Sequence, residues 1–290
     1  MLVLLPPSEA KTPFAGGAPV DLAGLGAPGL TAHRSLVLDA LIKVSAHPDA
    51  IELLGVGRSL AAEVERNTRL RAEPAGPASA VYSGVLYAAA GLHDLPDGAA
   101  RDRAERSVRV VSALWGLVRP SDLIPAYRLS MGTSLPGIGP LARSWRGPLG
   151  AELDGAASID GAAGGLIVDC RSAPYAAVWR PPASATGWVT VRVLRELHGR
   201  RSVVSHHAKH TRGVLTRHLL VRRGPEPTTP AELYAAAREL LAPRAADPRA
   251  PDPRAARSRP LGSAPAGTDL IDVELATAAR GAHVLTLTVA

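Results

Sequence analysis

Cysteine is almost absent from this chain, because Cys170 is the single one among 290 residues. An intrachain disulfide is therefore excluded, and so is a zinc site built from several cysteines. Aromatic residues make up only 3% of the chain, so a nucleic-acid surface made of many stacking rings is not expected. No basic leader precedes the first prolines, Pro6 and Pro7, and five residues are too few for a membrane span. We therefore expect a cytoplasmic protein with no membrane partner.

Lysine is also scarce, since Lys11, Lys43 and Lys209 are the only lysines among 33 basic residues. Two of them lie in polar motifs without periodicity, PPSEAKTP (6–13) and SHHAKHTRG (205–213). An ammonium differs from a guanidinium because its pKa shifts readily on burial. The pattern favours a site that requires an ammonium at Lys11 and at Lys209, although chance survival of two lysines explains it as well.

The formal net charge of +7 is typical of a protein with an anionic partner, either DNA or a phosphorylated, nucleotide-like ligand. Part of this charge lies in residues 243–260, which hold five arginines and two aspartates. Residues 242–267 are rich in Ala, Pro and Arg and contain too few apolar side chains to offset the entropy of ordering, so a disordered insertion is predicted. A basic balance can also reflect nothing more than solvated surface.

Short apolar runs bounded by Gly, Pro or charge predict strands, and apolar residues at helical spacing predict helices. The predicted strands are 1–5, 108–114, 166–170, 188–194, 202–205, 270–276 and 283–289, the last two as a hairpin. The predicted helices include 34–44, 49–54, 59–70, 209–222 and 233–241. This order indicates the α/β (α+β) class, with a mixed sheet and flanking helices in a single compact domain covering 1–290.

The segment LLGVGRSLAAEV (53–64) places two glycines between two predicted helices. Gly55 and Gly57 allow a tight turn and leave N–H groups free at the next helix start, where Arg58 adds a positive charge. Residues 34–70 are therefore similar to a helix-hairpin-helix element that holds DNA phosphates without reading bases. An ordinary glycine-capped connection between helices remains the alternative.

Two motifs offer groups for catalysis or anion binding. In PPSEAKT, prolines make a rigid loop that presents Ser8, Glu9 and Lys11, although a solvated loop is the alternative. At 205–217, Lys209, Arg212 and Arg217 lie on neighbouring faces of the predicted helix and form a candidate anion clamp. His206 and His207 alternate across the predicted strand, so that one of them faces a pocket. No metal site and no cofactor are predicted, because no carboxylate stands at ligand spacing from these histidines.

Six motifs, in order along the chain, resemble the YaaA family of peroxide-stress proteins. They are PPSEAKT, VYSGV at Val81, ALWGLVRPSDLIPAYRLSMG at Ala113, SWR at Ser144, DCRSAPY at Asp169 and SHHAKHTRG at Ser205. The resemblance runs from the first residue to about residue 220. It implies a single α/β domain, a cytosolic location and a basic cleft. It further implies DNA binding through a helix-hairpin-helix and protection from hydrogen peroxide with lowered free iron.

Carried over position by position, the resemblance implies a set of site residues. These are Ser8, Lys11, Tyr82, Gly84, Arg119, Tyr127, Arg128, Met131, Trp145, Ser172, Tyr175, Lys209, Arg212 and Gly213. The chain departs from the family at Pro174, where other members carry a carboxylate, and Asp169 and Arg171 lie slightly upstream. In the longest motif the apolar residues, including Trp115 and Leu123, are alternatively core.

Three functions are compatible with these residues. The first, which we favour from sequence, is a DNA-binding protective protein that uses Gly55, Gly57 and Arg58 together with cleft cations. Those cations are Arg119, Arg128, Arg171, Arg212 and Arg217, with Ser172 and His207 beside them. The second is an enzyme on a nucleobase, nucleoside or damaged nucleotide, with Lys11 or Lys209 as base or imine-forming amine and Ser8 and Tyr127 as partners. Iron binding ranks last.

Overall fold

The computed structural model describes residues 1–157, 165–182, 185, 187–203, 205–241, 269–278 and 282–290. The strands in these ranges are β1 (Leu2–Leu5), β2 (Gly76–Pro77), β3 (Val108–Ser112), β4 (Gly116–Val118), β5 (Leu123–Ile124), β6 (Ser134–Leu135), β7 (Gly139–Pro140), β8 (Ile167–Asp169), β9 (Trp188–Leu197), β10 (Arg200–Val203), β11 (Leu270–Thr277) and β12 (His283–Val289). The helices in the same ranges are α1 (Thr31–Ser45), α2 (Ala50–Leu53), α3 (Ala61–Asn67), α4 (Ala78–Val81), α5 (Val85–Ala90), α6 (Gly98–Ser107), α7 (Leu141–Ser144), α8 (Arg146–Ala157), α9 (Ala173–Ala176), α10 (Ser205–Val221) and α11 (Pro230–Arg238). Single 3-10 turns cover Pro28–Leu30 and Arg58–Leu60.

An eight-stranded mixed sheet organises these elements. Its order is β11-β12-β9-β8-β1-β3-β4, and β10 pairs with the far end of β9. β1 lies parallel to both neighbours, with Leu2 opposite Ile167 and Val3 opposite Val108. β4 and β11 are antiparallel to β3 and β12. The predicted mixed sheet with flanking helices is therefore confirmed.

The central strand β1 determines where the first polar motif lies. All four of its residues are buried, as expected for a continuous apolar run in a parallel sheet covered on both faces. Its parallel neighbours β3 and β8 end at the same edge of the sheet, the edge where α/β proteins commonly bind ligands. The loop 6–11 leaves β1 at this carboxyl edge, beside the residues that follow Ser112 and Asp169.

Helix α10 begins earlier than the sequence predicts, and the predicted strand 202–205 is wrong at Ser205, which is the first residue of the helix. The reason is a four-residue spacing: Thr211, Leu215 and Leu219 form one buried face, and His207 stands one turn before it. The Thr211 hydroxyl donates to the His207 carbonyl at 2.9 Å, within the first turns. His207 therefore belongs to a helix, and its predicted alternation with His206 across a strand is wrong.

Close packing of α10 on α5 explains one motif glycine. At Gly213 a Cβ atom would collide with the carbonyl oxygen of Leu86 and lie 2.7 Å from the Ala89 Cβ. The absence of a side chain lets the two helices approach each other. Gly213 is therefore a packing residue, although the family resemblance places it beside site residues.

The two glycines near residue 55 connect shorter helices than predicted. The expected helix 49–54 is the single turn α2, and the expected helix 59–70 is a 3-10 turn followed by α3. Gly55 has a φ of 63°, the left-handed region that ends many helices. The predicted helix-hairpin-helix is not confirmed by this geometry, because one turn gives the first helix little length.

The C-terminal hairpin is confirmed, since β11 and β12 pair antiparallel with Leu270 opposite Val289. β12 also pairs parallel with β9, so the hairpin extends the main sheet. The predicted turn residues 280–281 and the predicted disordered insertion 242–267 lie outside the described residues. None of the helices described above is both long and apolar enough to cross a bilayer.

Candidate functional site

The first site residues lie in the loop that follows β1. The Ser8 hydroxyl donates to the carbonyl of Ser83 at 3.2 Å, and Lys11 Nζ donates to the carbonyl of Ser8 at 2.7 Å. Backbone bonds pin the loop to the chain before α5, because the Ser83 amide donates to Ala10 at 3.1 Å. Prolines and these bonds together hold Ser8 and Lys11 in one conformation.

Lys11 lies over two phenol rings in a desolvated position. Its Nζ is 4.2 Å from the Tyr127 ring centroid and 5.7 Å from that of Tyr82. Burial lowers the pKa of Lys11 from 10.5 to about 7, since desolvation exceeds the opposing attraction of Glu9, and Arg128 lowers it further. At neutral pH a large fraction of Lys11 is therefore a free amine, which is the nucleophilic form.

The phenols beneath Lys11 form a buried hydrogen-bond chain. Ser112 Oγ accepts the backbone N–H groups of Leu114 and Trp115, at 3.2 and 3.0 Å. Because both its lone pairs are occupied, its own proton is donated to the Tyr127 hydroxyl, 2.7 Å away. The Tyr127 and Tyr82 hydroxyls are 3.1 Å apart.

Burial keeps these phenols protonated. It raises the pKa of Tyr82 to about 12 and that of Tyr127 well above its ordinary value. The hydrogen bond between them adds to the rise at Tyr127 and opposes it at Tyr82, in both cases less strongly than burial acts. Tyr127 is therefore an uncharged ring beneath the Lys11 side chain at physiological pH. Tyr127, which the sequence analysis pairs with the lysine, contacts Lys11 through its ring.

Arg128 is engaged by two carboxylates. Its Nη1 donates to Glu9 Oε2 at 2.8 Å, and its Nε donates to Glu63 Oε2 at 2.9 Å. Its side chain is 9% exposed, and its backbone is fixed by both amide atoms of Asn67, at 2.8 and 2.9 Å. Arg128 therefore orients Glu9 beside Lys11 and is not an open cation.

A cavity of about 420 Å³ opens next to this group. Its lining residues are Pro6, Pro7, Ser8, Glu9, Ala10, Gly84, Val85, Leu86, Tyr87 and Lys209. The cavity brings Lys209 of α10 to the same place as Ser8, and Lys11 reaches its wall through the Ser8 carbonyl. At Gly84 a Cβ atom would collide with Ser8 Oγ, which explains the glycine in the second motif.

Three other predicted site residues are occupied in maintaining the fold. Arg171 forms a buried ion pair with Asp169 at 2.8 Å and also donates to the carbonyl of Trp179 at 2.9 Å. Arg212 donates to the carbonyl of Val191 at 2.9 Å. Arg217 Nη1 donates to the carbonyl of Gly91 at 3.2 Å, beyond the end of α5. These contacts do not support the predicted anion clamp of Arg212 and Arg217.

The remaining predicted residues are distributed over the molecule. Ser172 stands just before the first residue of α9 and makes no side-chain capping bond there, and His207 is half-buried on α10. Arg119 lines a different cavity, of about 440 Å³, together with Arg109 and Glu152.

Five further positions are not among the residues that line the cavity of Ser8 and Lys209. Gly55, Gly57 and Arg58 are exposed on the surface. Met131 and Trp145 are buried in the core, where Trp145 Nε1 donates to the Ala113 carbonyl at 2.8 Å.

Several residues that shape the site are not among those that the sequence predicts. Tyr87 lines the cavity, and its hydroxyl donates to the carbonyl of Pro6 at 2.8 Å. Hydrogen bonds join Ser112 to Tyr127, and join both Glu63 and Asn67 to Arg128. Each comes from a segment distant from PPSEAKT, so only the pairing of strands and helices brings it near. The VYSGVLYA run could have indicated Tyr87 through its spacing of five from Tyr82.

Fold and site together define an α/β protein with a desolvated lysine beside a cavity at the carboxyl edge of a mixed sheet. The chain belongs to the family described as "Peroxide stress protein YaaA", whose sequence pattern matches residues 1–239. It is 47% identical to a UPF0246 protein of Streptomyces coelicolor, over 83% of this chain and 90% of that protein. A UPF0246 protein of Corynebacterium efficiens is 42% identical, over 82% of this chain and 92% of its own length.

Proposed function

We propose that this protein acts in peroxide stress as an amine catalyst on damaged nucleic acid, with Lys11 as the nucleophile. The observation that carries the proposal is the position of the Lys11 amine: desolvated over Tyr127, with a pKa of about 7, and hydrogen-bonded to the carbonyl of Ser8, which lines a ligand-sized cavity. A lysine of ordinary pKa is neutral in roughly one molecule in three thousand at pH 7. Structural stability alone does not require such a lysine.

The reaction that fits this amine is imine formation with an aldehyde. The nitrogen lone pair adds to the carbonyl carbon, the carbonyl oxygen takes up a proton, and loss of water forms the C=N bond. Both hydrogens of the neutral amine leave in that water. Oxidised deoxyribose, including an abasic site, supplies an aldehyde of this kind. We assign the proton relay to Glu9, whose charge acts most strongly on Lys11 among the neighbouring charged groups.

Borohydride trapping tests this function. An oligonucleotide with one abasic site, incubated with the protein and sodium borohydride, should give a covalent adduct by mass spectrometry. Lys11→Arg should abolish it, while Lys209→Arg and the exposed-site control Lys43→Arg should retain it. No adduct with the native chain, or an adduct that persists in Lys11→Arg, would contradict the proposal.

Non-sequence-specific DNA binding through the 50–67 region is the second candidate. The left-handed Gly55, with no heavy atom within 4 Å of a Cβ position, and the exposed Arg58 favour an approach by phosphate backbone. The exposed carboxylates of Glu52 and Glu65 weaken the local positive potential. The geometry therefore supports the lysine site more strongly, although DNA binding is the function that the sequence favours. Lowered free iron and a cytoplasmic location remain expectations from the family resemblance.

A salt series tests the second candidate. Affinity for several unrelated duplexes should fall steeply with salt and vary little with sequence. Arg58→Gln should reduce the slope of log affinity against log salt concentration by about one, because one phosphate contact is lost. The exposed Arg143 provides a matched control, and Arg143→Gln should leave the slope unchanged. Binding that is absent or independent of salt would contradict this role.

A further inference from the structure

The walls of the cavity beside Lys11 are apolar. Pro6, Pro7, Val85, Leu86 and the Tyr87 ring provide them, and prolines carry no backbone N–H to donate. The volume of about 420 Å³ lies within the range of about 300–1,000 Å³ that is usual for small-molecule sites. Such walls suit a flat ring with two apolar faces and leave the hydroxyls of a free sugar without partners.

The polar atoms at this cavity are of two kinds. Ser8 Oγ uses its proton toward Ser83, so toward the cavity it offers only lone pairs. Glu9 gives Oε2 to Arg128, and Oε1 is left as a second acceptor. Lys209, which is exposed at the start of α10, offers a cation instead. A complementary ligand therefore donates two hydrogen bonds at one edge and carries an anion elsewhere.

We infer that this cavity binds a single nucleotide whose base presents adjacent N–H donors, as guanine does, with its phosphate at Lys209. Guanine places the N1–H and the N2 amino group side by side, whereas adenine has one amino group and thymine one imino N–H. Enzymes that act on a base receive it in a pocket that contacts its faces and its hydrogen-bonding edge. The inference rests on the function proposed above, because it adds a base-binding pocket beside the same lysine.

Equilibrium binding of unreactive nucleotides tests the inference without any chemistry at Lys11. Calorimetry with the Lys11→Met variant should show dGMP binding about tenfold more tightly than dAMP or TMP. Inosine monophosphate, which lacks the N2 amino group, should lose most of that preference. Equal affinities for the four ligands, or no binding of dGMP at millimolar concentration, would overturn it.

Two variants locate the ligand. Val85→Phe, which fills the cavity, should weaken dGMP binding by at least about tenfold. Lys209→Gln should weaken binding of dGMP but not of deoxyguanosine, because only the former carries a phosphate. Unchanged dGMP affinity in either variant would overturn the inference, and the control Arg143→Gln should bind as the native chain does.

The two tests separate the inference from the function on which it rests. Trapping without dGMP selectivity leaves Lys11 as the nucleophile and removes the guanine assignment. Selective dGMP binding without trapping supports the pocket and removes the imine chemistry. A single-stranded oligonucleotide with one guanine should compete with dGMP if the base comes from nucleic acid. Failure of the oligonucleotide to compete with dGMP would assign the same pocket to free nucleotides.

Discussion

A lysine ammonium over phenol rings gains cation–π attraction and loses water, and these two effects oppose each other. In Lys11 the loss of water dominates, because the pKa falls to about 7 although the rings and Glu9 favour the charged form. Arg128 contributes in two ways: its charge lowers the pKa further, and its bonds hold the carboxylates of Glu9 and Glu63. Arg128 is therefore a positioning residue for the amine.

Removing this guanidinium should raise the pKa of Lys11. In Arg128→Gln the repulsion between the two cations disappears and the carboxylates of Glu9 and Glu63 become free to attract the ammonium, so the protonated form is favoured. The pH midpoint for adduct formation should move upward, and the rate at pH 7 should fall. The pH profile of borohydride trapping measures this shift. An unshifted midpoint in Arg128→Gln would contradict the role, and the exposed Arg143→Gln provides the control.

At the scale of elements, the sequence predicts strands of clear composition and misses short helices that are interrupted by a link. β1 and the hairpin of β11 and β12 have the residue composition of strands, and both are confirmed. Residues 78–90 are not among the predicted elements, and they fold as two short helices, α4 and α5, separated by an extended link at 82–84. That link holds Tyr82 and Gly84, so the part of the site that sequence patterning describes least is also the part that contacts Ser8.

The contact of α5 with α10 gives a prediction for stability. Gly213→Ala should destabilise the protein by about 1–3 kcal/mol, because a Cβ there overlaps the Leu86 carbonyl and the Ala89 side chain. Gly147, at the start of α8, has no heavy atom within 4 Å of a Cβ position. The control Gly147→Ala should therefore leave stability unchanged or raise it by up to about 1 kcal/mol.

Urea denaturation of both variants measures the difference in the free energy of unfolding. Equal stability of Gly213→Ala and the native chain would show that the two helices can separate without cost. The yield of borohydride adduct with the Gly213→Ala variant then reports whether the displaced α5 still leaves the loop of Ser8 and Lys11 in place.

At the scale of the whole molecule, the site depends on topology that the sequence does not display. The motifs around residues 8, 82, 127 and 209 are recognisable one by one, and the resemblance places them in one family. Their assembly requires β1 between β3 and β8 and the passage of α10 along α5, which are long-range pairings. The same pairings direct Arg171, Arg212 and Arg217 to carbonyls and a carboxylate inside the fold. Residue type alone therefore could not separate the cations of the site from those of the core.

The desolvation of Lys11 also makes the stability of the whole fold depend on pH. The folded-state pKa is about 7 and the ordinary value is 10.5, so between these pH values the unfolded chain binds more protons than the folded one. Because the free energy of unfolding rises with pH wherever the unfolded state holds more protons, this lysine should add stability from pH 7 toward pH 10. The slope from one such group is at most about 1.4 kcal/mol per pH unit.

Urea denaturation at pH 7, 8 and 9 should therefore show the native chain gaining stability relative to Lys11→Met, whose uncharged side chain has no proton to lose. The difference between the two chains cancels the titration of every other group, since both chains share those groups. The exposed Lys43→Met variant should run parallel to the native chain over the same range. A native chain that runs parallel to Lys11→Met instead would mean that Lys11 keeps its proton in the folded state, and the amine chemistry assigned to it would lose its physical basis.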